Sequence, residues 1–154
     1  MGPAIAVKAV MQRKFSLIVF GWAQILTDLE PLLSIISGKG HYHGFFHTFL
    51  GATLTGALAA GTGKFLAERG LRRLRLRRYL PLSWPVTITS AFIGTFSHIV
   101  LDSMVHPNAK PFAPFSSENI FAGVFNTAAL MVFCVICALL GGVVFFQLQP
   151  LDKE

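Results

Sequence analysis

Residues 120–146 read IFAGVFNTAALMVFCVICALLGGVVFF, a run without Asp, Glu, Lys, Arg or His. A helix needs about 20 mainly apolar residues to cross the hydrocarbon core of a bilayer. A charge-free run of this length belongs in lipid, where its paired glycines are also at home. Working back from it, three further stretches have spanning length: 84–105, 45–66 and 15–36. The sequence therefore predicts an all-α integral membrane bundle of about four transmembrane helices, forming a single membrane domain over residues 1–154. Met1 to Gln12 is expected to add a short amphipathic helix on the membrane surface. The span 45–66 is rich in Gly, Ala and Thr, and Ala52, Gly56 and Ala60 recur four apart, a spacing that lets helices approach closely. The span 15–36 is apolar except for Gln24, Asp28 and Glu30, and Pro31 is expected to kink it.

Composition agrees. Of 154 residues, 53% are hydrophobic and 13% charged, against about 25% charged in a soluble domain. The net charge of +6 is concentrated in the loop 69–78, RGLRRLRLRR. No aromatic residues interleave with these arginines, so nucleic acid is not an expected partner; the run reads as a topology signal. Basic residues favour the cytoplasmic side, which places Lys8, Arg13, Lys14 and this loop together, with both termini cytoplasmic. Cys134 and Cys137 lie in the last apolar run without companion ligands and read as packing residues. The basic N-terminus followed by Phe15 to Phe20 resembles a signal peptide, but it lacks a small-residue cleavage site and acidic residues come after it, so it is read as retained.

The opposite face collects the loop 37–44, the start of the second span and the loop 107–117, and with them every histidine. Ionisable groups inside spans cost about 2.5–3.5 kcal/mol at mid-membrane, so a cluster of them points to function. Asp28 and Glu30 end the first span, His43 and His47 open the second four residues apart, and His98 and Asp102 close the third four apart. Residues at that spacing share a helix face. Three helices thus bring imidazoles and carboxylates to one depth, the ligand mixture that suits Zn²⁺ first and Mn²⁺ or Fe²⁺ next. Asp28, His47, His98 and Asp102 are the expected metal ligands. Glu30, turned about 200° from Asp28, reaches the site if Pro31 unwinds its turn. His43, His106 and Lys110 are further candidates for ligation or substrate contact, and His41 reads as a loop residue. The competing reading is a set of His–Asp hydrogen bonds inside the bundle without metal.

Taken in order, Thr27-Asp28-Leu29-Glu30, His43-Gly44-Phe45-Phe46-His47-Thr48, Ser97-His98-Ile99-Val100-Leu101-Asp102-Ser103 and Lys110-Pro111-Phe112-Ala113-Pro114-Phe115 resemble the YdjM-like family of membrane-bound proteins regarded as metal-dependent hydrolases. The likeness runs from about Trp22 to Phe115. It implies a helical protein of a prokaryotic inner membrane with a divalent-metal hydrolase site at Asp28, His47, His98 and Asp102. The chain departs from the family pattern at His43-Gly44, where the family often carries Arg-Gly, and at Phe46, where it carries Thr.

The expected activity is hydrolysis of a lipid-like or membrane-associated ester or phosphoester at the non-cytoplasmic face. Glu30 is the expected general base, Lys110 the phosphate contact, and Phe112 and Phe115 the rest for the acyl region. Membrane lipid is the expected partner, and association with a second copy or another membrane protein fits so thin a bundle. The alternatives are a non-enzymatic metal-binding membrane protein and an interaction subunit whose arginine loop holds anionic lipid or a cytoplasmic partner.

Overall fold

The computed structural model describes residues 2–38 and 44–148. His41 and His43 lie outside the described residues. Within the described residues five α-helices succeed one another: α1 (Gly2–Met11), α2 (Leu17–Ile36), α3 (Phe49–Arg73), α4 (Trp84–Val105) and α5 (Thr127–Leu148). Short 3₁₀ turns precede α2 and α3 and sit in the arginine loop. There is no strand among the described residues. The fold is all-helical, as the sequence predicts.

Helices α2, α3 and α4 pack on one another and form the core of the bundle. Their contacts are made by small residues. A Cβ added at Gly94 of α4 would stand 2.9 Å from Ala23 Cβ of α2, and one at Gly63 of α3 would stand 3.1 Å from Trp22 Cδ1. At Gly56 of α3 it would meet Thr95 Oγ1 of α4 at 3.1 Å. Among the buried positions are Ala23, Ala52, Ala59, Ala60 and Ala91 with Thr27, Thr87 and Thr95, beside a few larger side chains, Phe15, Val19, Phe20 and Ile99, whereas Leu50, Leu54, Leu58 and Phe65 of α3 are exposed. A core made mostly of small and polar residues, with many large apolar ones facing outward, departs from the pattern of a water-soluble domain and suits a lipid environment.

Among the described residues three helices are long and apolar enough to cross a membrane: α2, α4 and α5. α3 is longer still at 25 residues, but its Gly, Ala and Thr content and the charges of its last turns lower its hydropathy. Its boundaries differ from the predicted 45–66. Thr48 caps its start by accepting from Gly51 N at 3.0 Å, so residues 45–47 form a 3₁₀ turn instead of helix. At its other end Glu68 accepts from Lys64 Nζ at 2.6 Å, from Arg72 at 3.3 Å and from Leu82 N at 3.2 Å, carrying the helix on to Arg73 and tying it to the approach to α4.

The charge-free run likewise enters its helix later than predicted. Asn126 Oδ1 accepts from Ala129 N at 2.8 Å, a capping contact ahead of Thr127. Before it, Phe125 N reaches Met104 O at 3.4 Å and Asn119 Nδ2 donates to Ser103 O and His106 O at 3.0 and 3.1 Å, so residues 119–125 pack on the end of α4. The predicted N-terminal helix is present as α1. Gly2, Ala4 and Ala9 are buried, and α1 runs alongside α5, with Gly2 at Cys134 and Ala6 at Gly141. Ala4 also joins Phe15 and Phe20 in a second apolar cluster, through which α1 connects α5 to the core.

Candidate metal centre

The site is built where α2 ends, α3 begins and α4 ends. α2 continues as α-helix through Pro31 to Ile36 and closes at Gly38, whose φ of +68° suits glycine. The unwinding at Pro31 that the sequence invoked to bring Glu30 and Asp28 to one site is therefore not needed: the two carboxylates keep different faces and take different partners.

Asp28 faces α4. Its Oδ1 lies 3.2 Å from His98 Nε2. The other ring nitrogen of His98, Nδ1, is 2.8 Å from Gln24 Oε1, and the Gln24 amide nitrogen donates to Gly94 O at 2.7 Å. Since the amide nitrogen is committed as donor, its oxygen accepts, which puts a proton on His98 Nδ1; in the neutral ring Nε2 then carries the lone pair that a metal ion needs. Gln24, Asp28 and His98 thus form one chain of contacts between α2 and α4.

Glu30 faces the 3₁₀ turn. Its two oxygens accept from Phe45 N at 3.1 Å and Phe46 N at 2.9 Å, and Oε2 is 3.9 Å from His47 Nδ1. A side chain at Gly44 would collide with this carboxylate, and one at Gly51 would collide with the backbone of Phe45 and Phe46. Glycine at both places lets the turn fold onto α2 and α3. The turn delivers His47, 4% exposed, to a T-shaped contact with His98 at 5.4 Å between ring centres.

One ligand atom each from Asp28, His47 and His98 lies within 4.8 Å of the others. Three of the four expected ligands therefore converge. Asp102 is not among them; it comes one turn after His98, and its Oδ1 lies 3.5 Å from His106 Nε2. His47 reaches the site from the 3₁₀ turn and not from the first turn of a helix, because Thr48 is the cap of α3. The residue set fits a divalent ion by its donor chemistry: two imidazoles and a carboxylate, with His98 Nδ1 hydrogen-bonded to Gln24 at 2.8 Å and His47 Nδ1 facing Glu30 at the longer distance of 3.9 Å. Outer oxygens of this kind orient metal-binding histidines. Sequence reasoning gave Gln24 no role, although it precedes Asp28 by the same four-residue step that singled out His98 and Asp102.

Two cavities lie by the 3₁₀ turn and the start of α3, and Asp28, His47 and His98 line neither. One of about 230 Å³ is lined by Lys110 with Gly44, Phe45 and Thr48. The other, about 340 Å³, lies among Phe49, Leu50, Phe96, Phe112 and Phe115. Phe112 is held by Phe49 and Phe121 at 5.3 and 6.0 Å, whereas Phe115 is 86% exposed.

A family model described as YdjM inner membrane protein matches residues 6–151, nearly the whole chain. No curated protein and no solved structure matches it.

Proposed function

The chain belongs to the YdjM inner membrane protein family, and from that premise we propose a membrane-bound, metal-dependent hydrolase acting on a lipid-like ester or phosphoester at the face away from the arginine loop. The observation that carries this reading is the convergence of Asp28, His47 and His98 within 4.8 Å, with one imidazole backed by Gln24 and the other by Glu30. Three protein ligands with room for a further one are the pattern of catalytic zinc sites, and two histidines with one carboxylate also suit iron; manganese is the third candidate.

When bound, a divalent ion supplies Lewis-acid polarisation of the scissile group and a water nucleophile at neutral pH. His47 and His98 would hold it as neutral imidazoles, and Asp28, 57% exposed, would hold it from the open side. Glu30 is the proposed base. Each of its oxygens uses one lone pair on a backbone N–H and retains another, so the carboxylate can take a proton from the attacking water and return it to the leaving group. Lys110 would meet a phosphate, and the groove at Phe49, Phe96 and Phe112 would receive the start of an acyl chain. Asp102 and His106, paired one turn further along, are proposed to border the centre.

With protons on both ring nitrogens His98 would form an ion pair with Asp28 across the 3.2 Å contact, which favours a second reading, a satisfied pair in a non-enzymatic protein. Turnover separates the two. The detergent-solubilised protein is given a panel of short-chain phosphoesters and carboxylic esters of lipids. The hydrolase reading expects cleavage that a chelator abolishes and added zinc or manganese restores. It also expects Glu30→Gln to lower kcat by about 10²–10⁴-fold when assayed at saturating metal. Cleavage indifferent to chelator and to His98→Ala would defeat it.

A further inference from the structure

The opposite end of the bundle holds a cavity of about 310 Å³ that the hydrolase reading does not use. Cations from three segments line it: Lys8 of α1, Arg13 of the turn after it and Arg78 of the arginine loop. Among the described residues no carboxylate lines it. Lys8 is fixed in place, its Nζ donating to Gln12 O and Phe15 O, both at 2.7 Å, and lying 5.8 Å from the centre of the Tyr79 ring. Arg78 lies over the same ring at 4.9 Å, so Tyr79 aligns both cations at the rim. Burial lowers the Lys8 pKa, the direction that a bound anion would reverse.

Two helices also begin here. Ser16, the cap of α2, and Ser83, the cap of α4, both line the cavity. Ser83 makes no side-chain bond to the first turn of α4. The positive ends of a 20-residue and a 22-residue helix therefore meet at one opening, an arrangement that favours an anion. The remaining wall is apolar and includes Phe15, Leu17, Leu82 and Val86. Inorganic phosphate matches the charge but leaves this wall without a counterpart.

We propose that this cavity is a binding site for an anionic phospholipid, its phosphate among Lys8, Arg13 and Arg78 and the first carbons of its acyl chain against Phe15, Leu17 and Val86. The site gives the arginine loop a specific ligand in addition to its part in orienting the chain. It is independent of the metal centre and stands whether or not that centre hydrolyses anything.

The full chain in mild detergent is titrated with short-chain phosphatidylglycerol, phosphatidylcholine or inorganic phosphate, and binding is read by native mass spectrometry. Phosphatidylglycerol is expected to bind tightest. Arg13→Ala with Arg78→Ala should weaken it about thirtyfold, at about 1 kcal/mol per guanidinium. Arg69→Ala with Arg73→Ala, which removes equal charge from outside the cavity, should change it by less than about threefold. Equal loss in both pairs would reduce the effect to general charge, and displacement of the lipid by equimolar phosphate would make the site one for free phosphate; either outcome overturns the proposal. Should the first pair not fold, photo-crosslinking of the wild type with a diazirine-bearing phosphatidylglycerol gives the same decision. Labels within 13–18 and 78–86 support the site, and labels confined to other segments refute it.

Discussion

Gln24 and Glu30 govern the two histidines without belonging to the proposed ligand set. Gln24 takes its orientation from Gly94 O and imposes a tautomer on His98; Glu30 anchors the turn that carries His47 and faces that ring. Loss of such an outer contact costs about 10–100-fold in metal affinity. Gln24→Ala should therefore weaken zinc binding by that factor while the protein stays folded, as competition with a chromogenic chelator would measure; unchanged affinity would remove Gln24 from the centre. The sequence made Asp28, His47 and His98 legible because ionisable residues in apolar spans are conspicuous. Gln24 was not legible, since an amide is cheap enough in a span to pass as ordinary. Asp102 illustrates the converse. Its spacing from His98 is helical, but a shared face does not determine the partner: at the level of His98 α2 supplies Asp28, while Asp102 has His106 one turn on.

At the scale of elements, the small residues decide how near the carboxylates of α2 come to the imidazole of α4. Gly94 is a point of close approach, with Ala23 Cβ 2.9 Å from where its own Cβ would be, and the carbonyl of Gly94 is the one that holds Gln24. Gly94→Val should push α2 and α4 apart, destabilise the bundle by about 1–3 kcal/mol and loosen metal binding together with it. Gly142→Val, where an added Cβ meets nothing within 4 Å, should leave the thermal midpoint in detergent nearly unchanged. Similar midpoints for the two variants would contradict the packing described. Helix existence was legible from hydropathy, and the close approach of α3 from its four-residue repeat of small residues. The ends were less so. Residues 120–126 are nearly as apolar as α5 itself, yet contacts made by Asn119 and Asn126 hold them outside that helix, and such capping depends on neighbours that hydropathy does not register.

Over the whole molecule, the two ends of the bundle carry opposite chemistry: histidines and carboxylates at one, arginines and two helix starts at the other. The arginine-rich end is expected to face the cytoplasm. In a chain with Cys134→Ala and Cys137→Ala, Asn108→Cys, exposed in the loop after α4, should react with an impermeant thiol reagent in intact cells. Arg73→Cys should react only after lysis; the reverse pattern would invert the orientation. The packing of α1 along α5 was beyond sequence reasoning, because its small-residue face reads equally well as a surface helix until Gly141 is seen to receive it.

The centre itself is tested most directly by metal content. The detergent-purified wild type, after exhaustive exchange into metal-free buffer and reloading with one equivalent of zinc, should retain about one ion per chain, as three protein ligands predict. Asp28→Ala with His98→Ala should retain almost none, and Gly142→Val should match the wild type. Equal zinc in all three, or none in the wild type, would contradict the metal centre.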